Sequence, residues 1–234
     1  MNIHREGKFF VGNDLQGNLL LGIESGQLAD CVAETKRRKA YGVFGSPGFG
    51  FHEDNLDFLN DLPGLKSIWF WDIALKNIDG VYALKKLRKF GVHDKRPPID
   101  FARLPKLERV TWKYEAKDTG VSALPELREL DLWRYSPKSK SFGDLELPTT
   151  VEEMSIIFAN PATLEGLPIF PNLKRLQLSR MRNLISLAEL PRIAPQLEHL
   201  VVTNCSRVAD GPKVVRHLPH LNHAWVHNAL LVSK

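Results

Sequence analysis

The segment LPGLKSIWF, beginning at Leu62, returns as LPKLERVTW from Leu104, LPELRELDL from Leu124, FPNLKRLQL from Phe170 and LPHLNHAWV from Leu218. Three weaker copies fit the same frame: LKKLRKFGV from Leu84, TTVEEMSI from Thr149 and APQLEHLVV from Ala194. Such a period restricts the architecture before any residue chemistry is considered. Each copy carries apolar anchors at relative positions 0, 3 and 5. They are Leu65, Ile68, Phe70; Leu87, Phe90, Val92; Leu107, Val110, Trp112; and Leu127, Leu130, Leu132. The later sets are Val151, Met154, Ile156; Leu173, Leu176, Leu178; Leu197, Leu200, Val202; and Leu221, Ala224, Val226. First anchors follow one another at 22, 20, 20, 24, 22, 24 and 24 residues.

Positions 3 and 5 alternate with period two, which puts both on one face of a strand. A unit of this length cannot bury that face alone and must stack on its neighbours. Strands related by one coil are then parallel and about 4.8 Å apart, so the anchors form ladders through a shared interior. The proline after the leading apolar residue falls where the chain turns into the strand, where a missing N–H costs little.

This pattern resembles the leucine-rich repeat family, in an irregular, bacterial-type form, over residues 62 to 231. The resemblance implies an α/β fold: a right-handed solenoid with a parallel β-sheet on the concave face and short helical or 3-10 turns on the convex face. It departs from the family at relative position 8, where an Asn or Cys normally bonds to backbone. Here that position holds Ile73, Lys95, Glu115, Tyr135, Ala159, Met181, Cys205 and Ala229. Only Cys205 fits, so irregular coils are expected in place of uniform helices.

Upstream of Leu62 the frame fades. Phe9 to Val11 and Leu19 to Ile23 read as a hairpin, and residues 26–39 as an amphipathic helix with Ser25 as its N-cap. Tyr41 to Val43 reads as a degenerate strand, then a breaker-rich SPGFG, then a helix over Asp54 to Leu62. Terminal units of a solenoid must cover an open apolar end. Residues 1–40 are expected to form that N-terminal cap, continuous as one domain with a solenoid over 41–234.

Among the 234 residues, 43% are hydrophobic and 25% charged, the balance of a folded chain. A formal charge of +5 is too mild for a dedicated nucleic-acid binder. Two cysteines, Cys31 and Cys205, do not make a disulfide framework. The N-terminus is too polar for a secretory leader, and no apolar run reaches the ~20 residues of a spanning helix. These features predict a cytoplasmic protein without a membrane partner.

With the anchors inward, relative positions 2, 4 and 6 point outward. Trp69, Trp71, Trp133 and Trp225 fall on that face, while Trp112 is an anchor. Large aromatics are usually buried, and Trp and Arg dominate interface hot spots. Trp69, Trp71, Arg109, Lys113, Trp133, His223 and Trp225 are therefore the candidate partner-binding residues. The alternative is that the rings pack on one another or under the cap. Mixed charge on the face, with Lys89 and Arg175 among Glu129, Asp131, Glu152 and Glu153, favours another protein over a phosphate backbone.

His199 and His223 share a column on adjacent repeats, but no Cys or carboxylate joins them at ligand spacing, so no metal is expected. The KRRK run at Lys36 to Lys39 reads as the solvated face of the cap helix, and Lys85, Lys86, Arg88 and Lys89 form a second basic group. GxSxG, P-loop, HExxH and GxGxxG motifs are absent from the sequence. The expectation is a non-enzymatic module without catalytic residues or cofactor, binding a partner protein through the strand face. The family resemblance adds one specialisation, an immunity protein neutralising a bacterial toxin. Nucleic-acid or metal binding through the basic and histidine clusters is the remaining alternative.

Overall fold

The LPxL motif is a β-turn that aims the chain into a strand. The amide of the first anchor bonds back to the carbonyl three residues earlier: Leu65 to Leu62 at 3.1 Å, Leu107 to Leu104 at 3.2 Å, and Leu221 to Leu218 at 3.2 Å. Where proline is present it takes the second turn position, which its fixed φ favours. The next two amides then share one carbonyl of the preceding repeat. Arg88 and Lys89 both bond to Lys66 O, and Glu198 and His199 both bond to Lys174 O. Within each unit, repeats are thus registered on their predecessors before the strand begins.

The computed structural model describes residues 2–93, 95–227 and 229–233, and the chain divides into two compact units. The first comprises residues 1–110 with 117–119, the second 111–116 with 120–234. In the first, β1 (Asn2–Glu6), β2 (Phe9–Asn13) and β3 (Leu19–Gly22) form an antiparallel meander. From β3 onward pairing is parallel, through β4 (Gly42–Gly45), β5 (Ser67–Phe70) and β6 (Lys89–Val92). The division falls within β7 (Arg109–Lys113).

In the second unit β8 (Glu129–Trp133), β9 (Glu153–Ile157), β10 (Arg175–Ser179), β11 (His199–Thr203) and β12 (His223–Val226) are parallel neighbours in chain order. A last strand, β13 (Ala229–Ser233), returns antiparallel on β12. Within each unit this is a mostly parallel sheet of sequential strands, the arrangement of a repeat solenoid, with an antiparallel N-terminal cap. Strands β5 to β12 coincide with the eight sequence copies.

All the anchors are buried, and Trp112, the largest, is 4% exposed. The connections are short. They include 3-10 turns at Asp57–Asp61, Asp79–Ala83, Phe101–Arg103 and Val121–Ala123, and the brief helices α2 (Leu190–Ile193) and α3 (Gly211–Val215). The longest helix, α1 (Leu28–Arg38), lies in the cap between β3 and β4.

Three details differ from expectation. Ser25 does not cap α1; its hydroxyl accepts the His52 amide at 2.8 Å, while Ser25–Gln27 forms a 3-10 turn. The helix expected over Asp54 to Leu62 is only the 3-10 turn at Asp57–Asp61. The polar strand β1 and the apolar strand β13, which carry no anchor frame, are additions at the two ends.

Position 8 keeps its place, and Cys205 keeps its backbone bonding, its Sγ lying 3.7 Å from Leu178 O and 3.4 Å from Thr203 O. Ile73, Tyr135, Ala159, Met181 and Cys205 are all buried there. Elsewhere in the second unit the backbone bonding passes to later asparagines. Asn160 Nδ2 donates to Pro137 O at 3.3 Å, and Asn183 Nδ2 donates to Asn160 O at 3.0 Å. The turn ladder survives, displaced by one and two residues.

Candidate functional site

In the first unit the exit end of the outward face meets aromatic residues from the cap (Phe10), from β4 (Phe44) and from the turn after it (Phe49). Phe44, in the same column as Trp69, is completely buried. Trp71 stacks on Phe44 at 6.3 Å and meets Phe49 edge-on at 5.7 Å. Phe49 also contacts Phe10 at 5.0 Å, so the SPGFG segment lies over the strand exits. Trp69 lies 6.3 Å from Trp71 and across Gly91, whose missing side chain makes the space. Both indoles are half-buried. The structure brings Trp69 and Trp71 together as part of this aromatic cluster.

At the other end of these strands the β2–β3 loop reaches across to β6. Asp14 accepts the Gln16 and Asn18 amides on one oxygen, and Asn18 Nδ2 and Lys89 Nζ (2.8 Å) on the other. These bonds hold its carboxyl below the usual range against the opposing effect of burial. Lys89 is therefore committed within the unit, and Arg88 pairs with Glu108 at 2.7 Å. In the KRRK run, Arg37 and Arg38 both bond to Glu34, and Arg38 also reaches Glu6 at 2.6 Å. Two of its four cations thus brace the cap.

Arg109, on β7, is half-buried in the first unit. Lys113 is 9% exposed and offers little surface. In the second unit Trp133 ends β8, half-buried, in register with Ile157 on β9. Its ring lies 6.1 Å from Phe158, inclined by 39°, and the guanidinium of Arg180 covers Phe158 at 5.0 Å. Phe158 remains 36% exposed. His223 and Trp225 lie on β12, with the His223 and His199 rings 6.1 Å apart. His227 is turned aside, its Nε2 2.7 Å from Val208 O. Among the described residues no three His, Cys, Asp or Glu side chains come together as a metal set.

The outward columns at positions 2, 4 and 6 miss Phe158, Arg134 and Arg180, which sit at relative position 7. The signal was present: Arg134, Phe158, Arg180 and Asn204 recur at the repeat spacing. All four have positive φ, between 56° and 59°. Their amides nonetheless continue the ladder, Arg134 N to Ile157 O at 2.9 Å and Phe158 N to Ser179 O at 3.0 Å. Arg134, Phe158 and Arg180 thus close β8, β9 and β10 in the left-handed conformation without an orphaned donor, Arg180 N bonding to Thr203 O at 2.9 Å.

Charge divides along these strands. At the entries of the second unit, cations are matched: Arg128 with Glu152 at 3.2 Å, Arg175 with Glu153 at 2.5 Å, and Lys174 with Glu198 at 3.9 Å. At the exits, residues 133–143, 157–164, 179–188 and 203–209 contain no Asp or Glu. They hold Arg134, Lys138, Lys140, Arg180, Arg182 and Arg207, all exposed. None of the six forms an ion pair with a carboxylate among the described residues.

No described helix is long and apolar enough to cross a membrane. Comparison with protein-family models and with curated proteins returns no match.

Proposed function

We propose that this protein is a non-enzymatic binding module of the leucine-rich repeat type that holds a partner protein on the strand face of its second unit. The observation that carries the reading is the group formed by Trp133, Ile157 and Phe158. Two aromatic rings and a branched aliphatic chain lie side by side, partly open to water, on a rigid ladder. Rings of this size bury on the order of 150–250 Å² each when covered. Aromatic anchors ringed by polar side chains are the usual centre of a protein interface. Trp225 and His223 extend the same face, and Arg109 lies on β7. Trp69 and Trp71 take a lesser part, being engaged in the aromatic cluster of the first unit. A cytoplasmic location belongs to the same reading, supported by the two buried, unpaired cysteines.

The test is partner capture by the immobilised protein from its host, compared with Trp133→Ala and Phe158→Ala. Each truncation should weaken capture by roughly tenfold or more, while the melting temperature stays within a few degrees of the parent. Capture of the same species by both variants at parental strength would overturn the reading.

A further inference from the structure

We infer that the strand-exit rim of the second unit is a docking ledge for an acidic protein segment carrying an apolar or aromatic side chain. This rests on the protein-binding reading above and adds the chemistry of the partner.

Two observations point the same way. The first is the sorting of charge by position along the strand. Entry-side cations are neutralised within the fold by Glu152, Glu153 and Glu198, whereas none of the six exit-side cations forms an ion pair among the described residues, the next acids in their coils being Asp144, Glu189 and Asp210. They come from the coils after β8, β10 and β11, with the cation-free coil of Phe158 between the first two, so one extended segment running across the strand ends would meet cations on either side of that ring. The second is the apolar step at their centre. Trp133, Phe158 and the guanidinium of Arg180 follow one another across the ends of β8, β9 and β10. Arg134 is adjacent in sequence to Trp133, and Lys138 and Lys140 follow in the same coil. Carboxylates on a partner would satisfy the cations, and an apolar side chain between them would cover the rings. Unmatched charge of one sign steers an oppositely charged partner and selects against others.

The same cations could attract a nucleic acid, but the rest of the face does not suit one. Glu129 and Glu153 stand four residues, about 13 Å, and Asp131 two residues, about 7 Å, from the ends of the same strands, and set carboxylates in the path of a phosphate chain crossing the face. A base needs an open aromatic plane for stacking. Arg180 covers Phe158, and Phe158 leans over Trp133.

The experiment uses the full chain and three fluorescein-labelled probes: a Glu-rich peptide with one central Phe, its Lys-for-Glu counterpart, and a short thymidine oligonucleotide. Fluorescence anisotropy should show the acidic peptide binding, the lysine peptide failing to bind, and the affinity falling as salt is raised. Charge reversal in R134E/R180E should weaken the acidic peptide by about tenfold or more. A second pair, K138E/R182E, lies outside the left-handed positions and should do the same if the first perturbs the fold. Equal binding of the two peptides, tighter binding of the oligonucleotide, or indifference to both variants would overturn the inference. If the host partner is captured by the parent, lost with Trp133→Ala and unaffected by both charge reversals, the protein-binding reading stands and the acidic ledge falls. Loss of the partner in all three variants supports both.

Discussion

Gly91 occupies an outward position on β6, and its lack of a side chain is what lets Trp69 lie flat. A Cβ there would stand 2.1 Å from Trp69 Cε3 and 2.4 Å from Cζ3, well inside any real contact. The flanking anchors Phe90 and Val92 are buried, so the backbone cannot yield and the indole must lift. Gly91→Ala should lower stability by about 1–3 kcal/mol, with tryptophan emission shifted to the red as the ring leaves its seat. Unchanged emission and melting temperature would mean that the ring does not depend on this glycine. In the sequence, Gly91 is merely a gap in a column of larger residues. Its purpose depends on a side chain 22 positions away, which no local pattern links to it.

Among the elements, α1 shows how an apparent basic patch can be structural. Glu34 is held at about 2, well below the carboxylate value of 4.5, by hydrogen bonds from Arg37 and then Arg38. Arg38 extends the chain of charge to Glu6 on β1, whose carboxyl is lowered by the same guanidinium. A carboxyl depressed in the folded state contributes stability at pH above its unfolded value and loses it as pH falls through the folded one. The ion pairs within α1 should therefore weaken between roughly pH 4.5 and pH 2, and the Arg38–Glu6 tie to β1 should weaken as Glu6 is protonated below its ordinary value. Hydrogen exchange at the α1 amides, followed against pH, reads this directly. Glu34→Gln should remove the helix-internal part of the pH dependence in that window and leave the part carried by Glu6, and a variant with the parental profile would refute the assignment. The helix itself was legible from its amphipathic pattern, but its N-terminus was not. Ser25 looked like a cap, and its hydroxyl is instead engaged by the His52 amide, a tertiary partner 27 residues on.

For the molecule as a whole, the anchor frame was enough to place β5 to β12, because period-two alternation inside a longer period admits one inward face. It could not place β1 or β13, which pair through backbone and carry few anchors. The outward set was only partly legible. Alternation assigns Trp69, Trp71 and Trp133 alike to the outer side, yet Phe49, from an irregular turn, engages Trp71 and leaves Trp133 to its strand neighbours. Phe158 and the exit cations were missed because period two ends with the strand. The cysteines give a measurement on this scale. Cys31 and Cys205 lie in different units, both fully buried, and burial raises both thiols above their ordinary range. Both should resist an aromatic disulfide reagent in native buffer and react promptly in denaturant. Rapid native reaction of either would show that its unit opens locally.

The residues that close the strands sit in a conformation that suits an amino acid without a β-carbon. Asp72, Arg134, Phe158, Arg180, Asn204 and His227 all adopt it, with φ from 50° to 59°. For a bulky side chain that torsion costs on the order of 1 kcal/mol relative to the right-handed alternative. Glycine would relieve the strain at each, although the added freedom of the unfolded chain offsets part of the gain. Replacing Arg134, Phe158 and Arg180 in this way would also shave the molecule's most distinctive corner smooth. The corner and the torsion are thus coupled: the sturdier backbone would be the blanker one.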